Sequence, residues 1–560
     1  MRRAWKWWLA GALGWLLSSA GAMGQGTAKQ PAPPTFRIAG VVVDAATGAR
    51  IGRAEVWSGD DTGIRTSADV EGRFVLDGLE EGKYPLYATA PGYLREGYNQ
   101  HGTFFTGIVA GKGADSEHLI FKLHRQAVIY GRVSDERGEA VRDAAVWLFV
   151  EGLNFGKQGV RMQKQVQTND EGSYRFAHVE PGKYYVGVGA RPWYAEHGVK
   201  YHGKEPEAGA GTASRVEAPG ADPLLDVVYP LTYFAGATEE SGAVPLTAKP
   251  GDALEANVRL TPVPSVHLLL TNVEEGKGRR EEGLSVEAWQ TAFESVRMPI
   301  VQGATEVSPG VWEVGGLPPG EVHVAVRGGA GETNVRMNAT EGASVDMSAR
   351  PATSNVSGVV TASDGTRGVA RGGVMLSSGE ETPVAGRIKN DGTFTLTGVG
   401  EGTYQVLVNT GVGEDYIARI TAVGAKVVGR AVKIERGTEV KLTVTLGSGL
   451  GRIAGVVRME GRGRAGVMIL LVPETAGLSE ADLTEMVRMD QSDSDGSFAL
   501  GGILPGKYVL MAIEDGWDLE WRSEVVLAPY RAKGMRMEIG ANERKNLTVE
   551  GMKVEGSAAQ

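Results

Sequence analysis

The sequence predicts an all-β chain built from about five similar antiparallel β-sandwich modules arranged in tandem. Three observations support this prediction. A short pattern recurs five times, 560 residues are too many for one hydrophobic core, and 81 glycines suit many short strands joined by tight turns. The recurrence is the strongest of the three, because one repeated pattern implies one repeated structural unit.

The repeated pattern is Gly, any residue and an aromatic, followed by a second Gly ten residues after the first and usually a Tyr two residues later. A glycine at the first position supplies the positive φ that a tight hairpin turn requires, so we expect a hairpin corner in each copy. The five copies are Gly72, Phe74, Gly82, Tyr84; Gly172, Tyr174, Gly182, Tyr184; Gly310, Trp312, Gly320, Val322; Gly392, Phe394, Gly402, Tyr404; and Gly496, Phe498, Gly506, Tyr508.

Short β-branched and aromatic runs surround each copy, and they are typical of strands. An opening run precedes each corner, and a closing run ends each module. Each predicted sandwich therefore contains about seven strands in about 90 residues. A helical period is visible only at 478–489, where we expect one short helix. The opening runs begin at Ile38, Ile129, Val266, Val356 and Ile453.

Module boundaries follow from the copies. Module 2 is longer than the others because residues 190–249 are inserted before its closing strand, and module 3 is divergent. Inserted loops lie at the ends of a sandwich, where function concentrates. Five modules in a line would form an elongated particle. The predicted segments are a signal peptide at 1–22, a Pro-rich linker at 23–35, modules 1 to 5 at 36–125, 126–262, 263–351, 352–447 and 448–554, and a tail at 555–560.

The N-terminus has the features of an export signal. Arg2, Arg3 and Lys6 precede an apolar stretch of eleven residues, 7–17, and Ala20 and Ala22 form a small-residue cleavage pattern. A spanning helix needs about 20 apolar residues, so cleavage is expected, with no transmembrane span remaining in the mature chain. We therefore predict an exported protein that resides in the periplasm, on the outer surface or outside the cell.

Composition excludes several classes of function. The chain has no Cys, which excludes disulfides, thiol catalysis and lipid attachment through an N-terminal cysteine. The formal net charge is −10, and it becomes −13 without the three basic residues of the predicted signal. This balance argues against a nucleic-acid partner.

The opening Gly-Val-Val, the Asp-Gly-x-Phe corner and the Pro-Gly-Lys-Tyr return at 181–184 and 505–508 resemble carboxypeptidase regulatory-like domains. The resemblance is clear in modules 1, 2, 4 and 5 and weak in module 3. It implies a transthyretin-like (prealbumin-like), Ig-like β-sandwich, grouped with carbohydrate-binding-like folds. It also implies an accessory or surface role, since these motifs determine fold and not activity.

The insert of module 2 carries the candidate ligand-binding residues Trp193, Tyr194, Tyr201 and Tyr233. Aromatic faces beside hydrogen-bonding groups suit a sugar ring, whose C–H face stacks while its hydroxyls need partners. The alternative is that these aromatics pack the insert onto its own sandwich. Carbohydrate is therefore one predicted partner, and another envelope protein is the other.

No catalytic residue, metal site or cofactor is predicted. His202 and Glu205 spell the His-x-x-Glu of zinc carboxypeptidases, with His323 as a distant third ligand, but a Gly-rich insert is a poor scaffold for zinc. Residues 493–496 resemble half of a calcium loop and are interpreted as a turn, because the outer carboxylates are missing. The other strand-borne histidines are expected at edges or on the surface: His118, His178 and His267.

Together these features predict an exported, non-catalytic, multi-domain protein of the cell envelope with a structural or ligand-binding role. The alternative is an accessory subunit of a separate envelope peptidase or transporter. The oligomeric state stays open.

Overall fold

The computed structural model describes residues 35–59, 63–200, 222–272, 285–293, 296–302, 304–328, 331–347, 353–363, 372–378, 383–411, 415–475 and 478–554. The predicted signal peptide, the tail and Tyr201 lie outside these residues. The described chain is almost entirely strand and forms five two-sheet sandwiches, which confirms the predicted fold class. In this part of the chain, no helix is long and apolar enough to cross a membrane.

Modules 1 and 2 each pack two sheets around one apolar core. The strands of module 1 are β1 (Phe36–Asp44), β2 (Glu55–Ser58), β3 (Arg65–Ser67), β4 (Arg73–Leu79), β5 (Gly82–Tyr84), β6 (Leu86–Thr89), β7 (Glu96–Gly97), β8 (Ile108–Ala110) and β9 (Leu119–Leu123). Those of module 2 are β10 (Ala127–Ser134), β11 (Ala145–Asn154), β12 (Lys157–Gln167), β13 (Ser173–Val179), β14 (Gly182–Gly189), β15 (Val227–Val228), β16 (Thr232–Tyr233), β17 (Leu246–Ala248), β18 (Ala253–Glu255) and β19 (Val258–Arg259).

Modules 3 and 4 repeat this arrangement, and each has a separate core. Module 3 follows a short strand β20 (Val263–Pro264) and contains β21 (Val266–Thr271), β22 (Ser285–Ala292), β23 (Val296–Gln302), β24 (Thr305–Ser308), β25 (Val311–Leu317), β26 (Gly320–Gly328), β27 (Gly331–Ala339) and β28 (Ser344–Asp346). Module 4 contains β29 (Ser354–Ala362), β30 (Gly373–Ser377), β31 (Val384–Arg387), β32 (Thr393–Val399), β33 (Gly402–Asn409), β34 (Asp415–Val423), β35 (Lys426–Val428), β36 (Ala431–Ile434) and β37 (Glu439–Ser448).

Module 5 adds two helices to its sandwich. α1 (Glu480–Met486) matches the short helix expected at 478–489, and Ser479 caps it by accepting from the Asp482 amide. α2 (Glu524–Lys533) was not predicted, since Pro529 lies inside it and it has little amphipathic period. The strands are β38 (Gly451–Met459), β39 (Arg462–Gly463), β40 (Met468–Pro473), β41 (Arg488–Gln491), β42 (Ser497–Ile503), β43 (Gly506–Glu514), β44 (Met535–Ile539), β45 (Arg544–Glu550) and β46 (Met552–Lys553).

One pairing corrects the expectation of wholly antiparallel sheets. In every module the opening strand pairs in parallel with the closing strand, as β1 does with β9. The glycine of the opening strand is required by this contact, because a Cβ on Gly40 would lie 2.2 Å from the Leu119 carbonyl oxygen. A Cβ on Gly131 would likewise lie 2.3 Å from that of Ala256. The shared Gly of the opening runs therefore permits the closing strand to approach.

The repeated corner forms as predicted. The first glycine of each copy has a φ between +72° and +85°. The Tyr that ends the pattern crosses back over the turn, and its hydroxyl donates to the carbonyl four residues earlier, at 2.8 Å for Tyr184 and 2.7 Å for Tyr508. The second glycine leaves room for this ring, since a Cβ on Gly182 would lie 3.4 Å from the Tyr184 ring. The pattern thus encodes a turn together with the side chain that closes it.

Module 5 contacts module 1, which makes the expectation of five modules in a line wrong. The Asp493 carboxylate accepts from the Gly107 amide at 3.1 Å and pairs with Lys83. His101 stacks on Trp517 at a centroid distance of 4.9 Å. The first and last modules therefore meet, and Asp493, which the sequence places in a calcium-like turn, bonds to protein groups instead. The repeated pattern predicts the fold of each module, but it does not indicate which module surfaces contact each other.

Module 5 also contacts modules 2 and 4. The turn between β11 and β12 reaches module 5, where Phe155 packs edge-on against Trp521 at 4.9 Å and the Arg522 amide donates to the Gly156 carbonyl at 3.1 Å. From module 4, the Arg430 amide donates to the Asp482 carboxylate at 3.1 Å. Module 5 therefore links three of the other four modules.

Candidate functional site

A concave, partly polar cleft of about 480 Å³ lies between modules 2 and 3. Clefts of this size, formed where domains meet, are the usual place for a small ligand. The insert of module 2 supplies part of one wall and the edge strand β23 supplies the other. The side chains that give the cleft its chemistry are Trp147, Gln165, Arg191, His197, Tyr229, Gln290, Arg297 and Met298.

The aromatic wall is built on the sheet of module 2. Trp147 lies on β11, and a Cβ on the neighbouring Gly189 would lie 2.9 Å from its indole ring. Tyr229 follows β15, and its hydroxyl donates to Glu136 at 2.9 Å. Burial raises the pKa of Glu136, but the hydrogen bonds from Tyr194 and Tyr229 outweigh it and leave that pKa below its ordinary value. Glu136 therefore stays ionised and accepts from the hydroxyls of Tyr194 and Tyr229.

A buried network of charges lies behind the cleft and joins the insert to module 3. At its centre, the carboxylate of Asp226 is 1% exposed. Lys200 donates to it at 2.8 Å, and the ring nitrogens of His197 and His267 lie 3.0 Å from it. Ser265 also donates to this carboxylate. Asp226 therefore fixes the insert against β21.

Module 3 contributes the second carboxylate of this network. The Nδ1 of His267 lies 2.5 Å from Glu313 on β25, so both ring nitrogens of His267 face carboxylates. Glu313 also accepts from the Lys200 backbone amide at 2.8 Å. Two carboxylates thus face Lys200 and an imidazole that can donate from both nitrogens, and the buried charges balance each other.

The pKa shifts agree with this geometry. Burial raises the pKa of Asp226, but the hydrogen bonds from Lys200, Ser265 and the two histidines outweigh it and hold that pKa well below the ordinary 3.8. Burial lowers the pKa of His267, while the hydrogen bonds to Glu313 and Asp226 outweigh it and raise that pKa above the ordinary 6.5. Both shifts favour the charged forms, as expected for a paired network.

His197 connects the network to the cleft. Its Nδ1 bonds to Asp226, and its Nε2 lies toward the cleft wall, where a Cβ on Gly316 would come within 2.8 Å of it. The residues that line the cleft include no Ser, Thr, Asp or Glu in the described part of the chain. His197 is therefore the ring that joins the Asp226 carboxylate to the cleft wall.

The predicted site residues do not share one surface. Trp193 is 84% exposed and packs edge-on against Tyr194 at 5.8 Å. The Tyr194 hydroxyl donates to Glu136 at 2.6 Å. Tyr233 lies on β16 and is 1% exposed, in a cluster with Phe149 and Phe293 between modules 2 and 3. Tyr201 lies outside the described residues. The prediction that these four bind a ligand stays untested.

Several residues of the cleft were not selected from the sequence. Arg191, His197 and Tyr229 lie in the insert of module 2, but their spacing in the sequence matches no known binding motif. Arg297 comes from another module, where its guanidinium lies 4.8 Å from the Trp289 ring centroid. In the sequence, the insert is the feature that indicates a binding site in this region. No sequence motif indicates that the insert contacts module 3.

The histidines show one clear error. His267 was expected at an edge or on the surface, yet it is 4% exposed, because the carboxylates of Asp226 and Glu313 offset the burial of its charge. His323 stacks on Trp289 at 5.4 Å, and His202 of the zinc-like motif lies outside the described residues. Where the chain is described, no group of three or more acidic or histidine side chains is arranged to hold a metal ion.

Comparison with known families gives one match. Residues 37–111 match the carboxypeptidase regulatory-like domain, which confirms the resemblance for module 1. The match spans a small part of the 560-residue chain. No curated protein matches the sequence.

Solved structures with local similarity are low in identity and superpose poorly. The Bacillus anthracis TIE protein shares 9% identity over 93% of this chain and 76% of its own, with a TM-score of 0.17. A streptococcal ancillary pilin shares 12% identity over 56% of this chain and 98% of its own, with a TM-score of 0.19. BcpA, the major pilin subunit of Bacillus cereus, shares 11% identity over 76% and 99%, with a TM-score of 0.14. Scores this low carry no information on function.

Proposed function

We propose that this chain is an exported, non-catalytic, multi-domain protein of the cell envelope that binds a small ligand between modules 2 and 3. The cleft of about 480 Å³ is the observation that carries the proposal. It lies beside the one long insert of the chain, and a buried ionic network holds its two walls together. A non-catalytic role agrees with a regulatory-like domain at 37–111 and with a cleft wall that offers no nucleophile among the described residues.

Export is supported by the N-terminal sequence. Three basic residues, an apolar stretch of eleven residues and Ala20 and Ala22 form the pattern of a cleaved signal. Mass spectrometry of protein from a native envelope fraction should find a chain that begins at Met23. A chain that begins at Met1 would contradict export and the envelope location together.

Carbohydrate is the ligand class that suits the wall. Trp147 and Tyr229 lie in the wall as largely buried rings, 6% and 5% exposed, and the amides of Gln165 and Gln290 provide both donors and acceptors. A sugar needs this combination of a stacking face and groups that pair with hydroxyls. We therefore expect the mature chain to retain oligosaccharides.

A glycan-binding screen of the mature protein tests the proposal, with variants that separate two possible sites. Ala190→Trp fills the cleft from module 2 and Pro299→Trp fills it from module 3. Each should abolish retention, whereas Trp193→Ala, which removes an 84% exposed ring, should leave it intact. Retention that survives both filling variants but is lost in Trp193→Ala would place binding on the exposed aromatics of the insert.

A role as accessory subunit is the second candidate. In the described part of the insert, two apolar side chains are more than 80% exposed: Trp193 at 84% and Leu224 at 82%. Their segments lie together, since the Glu196 amide donates to the Leu225 carbonyl at 2.9 Å. Exposed apolar groups that lie close together suit a protein partner. Co-purification of an envelope peptidase or transporter that is lost in Trp193→Ala with Leu224→Ser would favour this role.

A further inference from the structure

We infer that Nε2 of His197 is a hydrogen-bond acceptor in the wall of the cleft between modules 2 and 3, and that it accepts from a hydroxyl of the bound sugar. This inference rests on the proposed binding function and adds the residue that selects the ligand. His197 belongs to the insert of module 2 and lines the cleft.

Asp226 determines which nitrogen of His197 carries the proton. Nδ1 of His197 lies 3.0 Å from Oδ1 of Asp226. The carboxylate of Asp226 is 1% exposed, and its lowered pKa keeps it ionised, so both of its oxygens can only accept. The contact therefore requires a proton on Nδ1 of His197. Asp226 acts as a positioning residue that determines the tautomer of the ring.

The other donors to Asp226 support this assignment. Ser265 donates to Oδ1, the same oxygen that His197 contacts. Lys200 and Nε2 of His267 lie 2.8 and 3.0 Å from Oδ2. Each carboxylate oxygen thus meets two donors, which matches its two lone-pair sites. A proton on Asp226 would face a donor at either oxygen, so the proton of the contact with His197 belongs to the ring.

The second ring nitrogen of His197 is left with a lone pair. A neutral imidazole that carries its proton on Nδ1 has an acceptor at Nε2. Among the residues that the structure describes, none hydrogen-bonds to this atom, and the side chain is 15% exposed. His267 differs, because both of its ring nitrogens face carboxylates. A largely buried acceptor without a partner costs free energy, which a ligand donor recovers.

Gly316 allows this edge of the ring to lie at the cleft wall. Gly316 lies on β25, lines the cleft and has a φ of +75°. A Cβ at this position would lie 2.7 Å from Cδ2 and 2.8 Å from Nε2 of His197. Any side chain there would therefore collide with the edge of the ring. The glycine leaves the Nε2 edge of His197 beside the cleft.

A neutral donor is the ligand group that suits this atom. A hydroxyl supplies the proton that the lone pair of Nε2 needs, whereas a carboxylate or phosphate oxygen without a proton offers a second lone pair. A methyl ether keeps the oxygen of the hydroxyl but has no proton to donate. A sugar with free hydroxyls should therefore bind more tightly than the same sugar after methylation.

Nuclear magnetic resonance of the full mature chain, labelled with ¹⁵N-histidine, tests the tautomer without any ligand. In the neutral ring of His197 we expect a protonated Nδ1 and an unprotonated Nε2. His197→Asn identifies the signals of this ring by their loss. A neutral ring with its proton on Nε2 would overturn the inference, whatever the protein binds.

Calorimetric titration tests the recognition of a hydroxyl. The probes are maltose, cellobiose and lactose, each compared with its per-O-methyl derivative, which keeps every oxygen but has no hydroxyl proton. We expect at least one of these disaccharides to bind, at least tenfold more tightly than its methylated form.

Variants assign this preference to His197. His197→Asn keeps an amide that can donate to Asp226 but lacks Nε2, so it should weaken the free disaccharide about tenfold and leave the methylated form unchanged. The comparison of two sugars in two proteins separates the hydrogen bond from the bulk of the methyl groups. His118→Asn makes the same change in a side chain that is 84% exposed in module 1, and it should change neither affinity. Unchanged hydrogen exchange in β21 shows that the network is intact in His197→Asn.

The outcomes separate this inference from the function on which it rests. If the methylated and free disaccharides bind equally, or if His197→Asn weakens both by the same factor, the cleft is a sugar site and the inference is wrong. If no disaccharide binds, recognition of a sugar hydroxyl by His197 is overturned. Retention of other glycans in the screen then shows whether the binding function stands.

Discussion

Replacement of Asp226 by Asn should detach module 3 from the insert of module 2. The substitution keeps the shape but removes the charge that Lys200 and His267 face at 2.8 and 3.0 Å. The side-chain amide of Asn also places an NH₂ donor where one carboxylate oxygen of Asp226 accepted, so that donor faces other donors. Breaking a buried ion pair from one side costs about 3 to 5 kcal/mol. Lys200 is 34% exposed and can return to water, so the lower end, about 3 kcal/mol, is expected.

Hydrogen exchange is the suitable measurement, because a chain of five modules is not expected to unfold in one step. A local loss of about 3 kcal/mol corresponds to exchange about a hundredfold faster in the amides of β21. Asp115→Asn is the control: its partner is His118, both side chains are exposed, and exchange in β21 should stay unchanged. Acceleration of less than about fivefold in Asp226→Asn would refute the role assigned to the network.

Three further predictions concern other parts of the structure. The module 2–3 contact should be most stable between about pH 4 and 6.5: the lowered pKa of Asp226 gives a contribution that is lost as pH falls below about 3.8, and the raised pKa of His267 gives one that is lost as pH rises above about 6.5. Hydrogen exchange in β21 from pH 4 to 9, corrected for the intrinsic exchange rate, measures this pH dependence. His267→Gln should remove the loss of protection at alkaline pH, and a wild-type profile that does not change with pH would contradict the prediction. Trp517→Ala removes a half-buried ring stacked on His101 and should weaken the module 1–5 contact by about 2 kcal/mol. The radius of gyration in small-angle scattering should therefore increase, whereas the control Trp193→Ala should leave it unchanged. An unchanged radius in Trp517→Ala would show that this ring does not stabilise the contact. Tyr184→Phe should lower the stability of module 2 in urea by about 1 kcal/mol through loss of the 2.8 Å bond to the Glu180 carbonyl, whereas the exposed Tyr130→Phe should not; equal effects would contradict the account of the repeated corner.

The fold could be predicted because its rules are local. A glycine such as Gly392 marks a positive φ, and the aromatic two residues later marks the strand that leaves the turn. These dependences span ten residues and repeat five times, so the sequence alone exposes them. The parallel pair of each module was missed, because the partner of the opening strand lies about 80 residues away in module 1 and nothing local states its direction.

The site could not be predicted because it depends on surfaces from different modules. Asp226, His267 and Glu313 are separated by 41 and 46 positions, and their strands bring them together only after modules 2 and 3 have docked. Each looks like an ordinary residue in its own segment. The insert does line the cleft, but the predicted residue Trp193 lies outside the cleft lining and is 84% exposed.

α2 shows a similar limit for secondary structure. Its apolar residues Leu527 and Tyr530 are buried against module 5, so tertiary packing stabilises a helix that has little periodicity of its own. The internal Pro529 argued against a helix at the sequence level. Long-range packing overrides the local preference at this position.

The most direct test of the account is hydrogen exchange of the mature protein with and without a saturating oligosaccharide that the glycan screen shows to be retained. The account predicts added protection in the segments that line the cleft, at 189–197 in module 2 and 297–300 in module 3, and none in modules 1, 4 and 5. The same protection should be absent in Ala190→Trp. Protection confined to another module, or no protection at concentrations up to the millimolar range, would contradict the claim that the cleft between modules 2 and 3 binds carbohydrate.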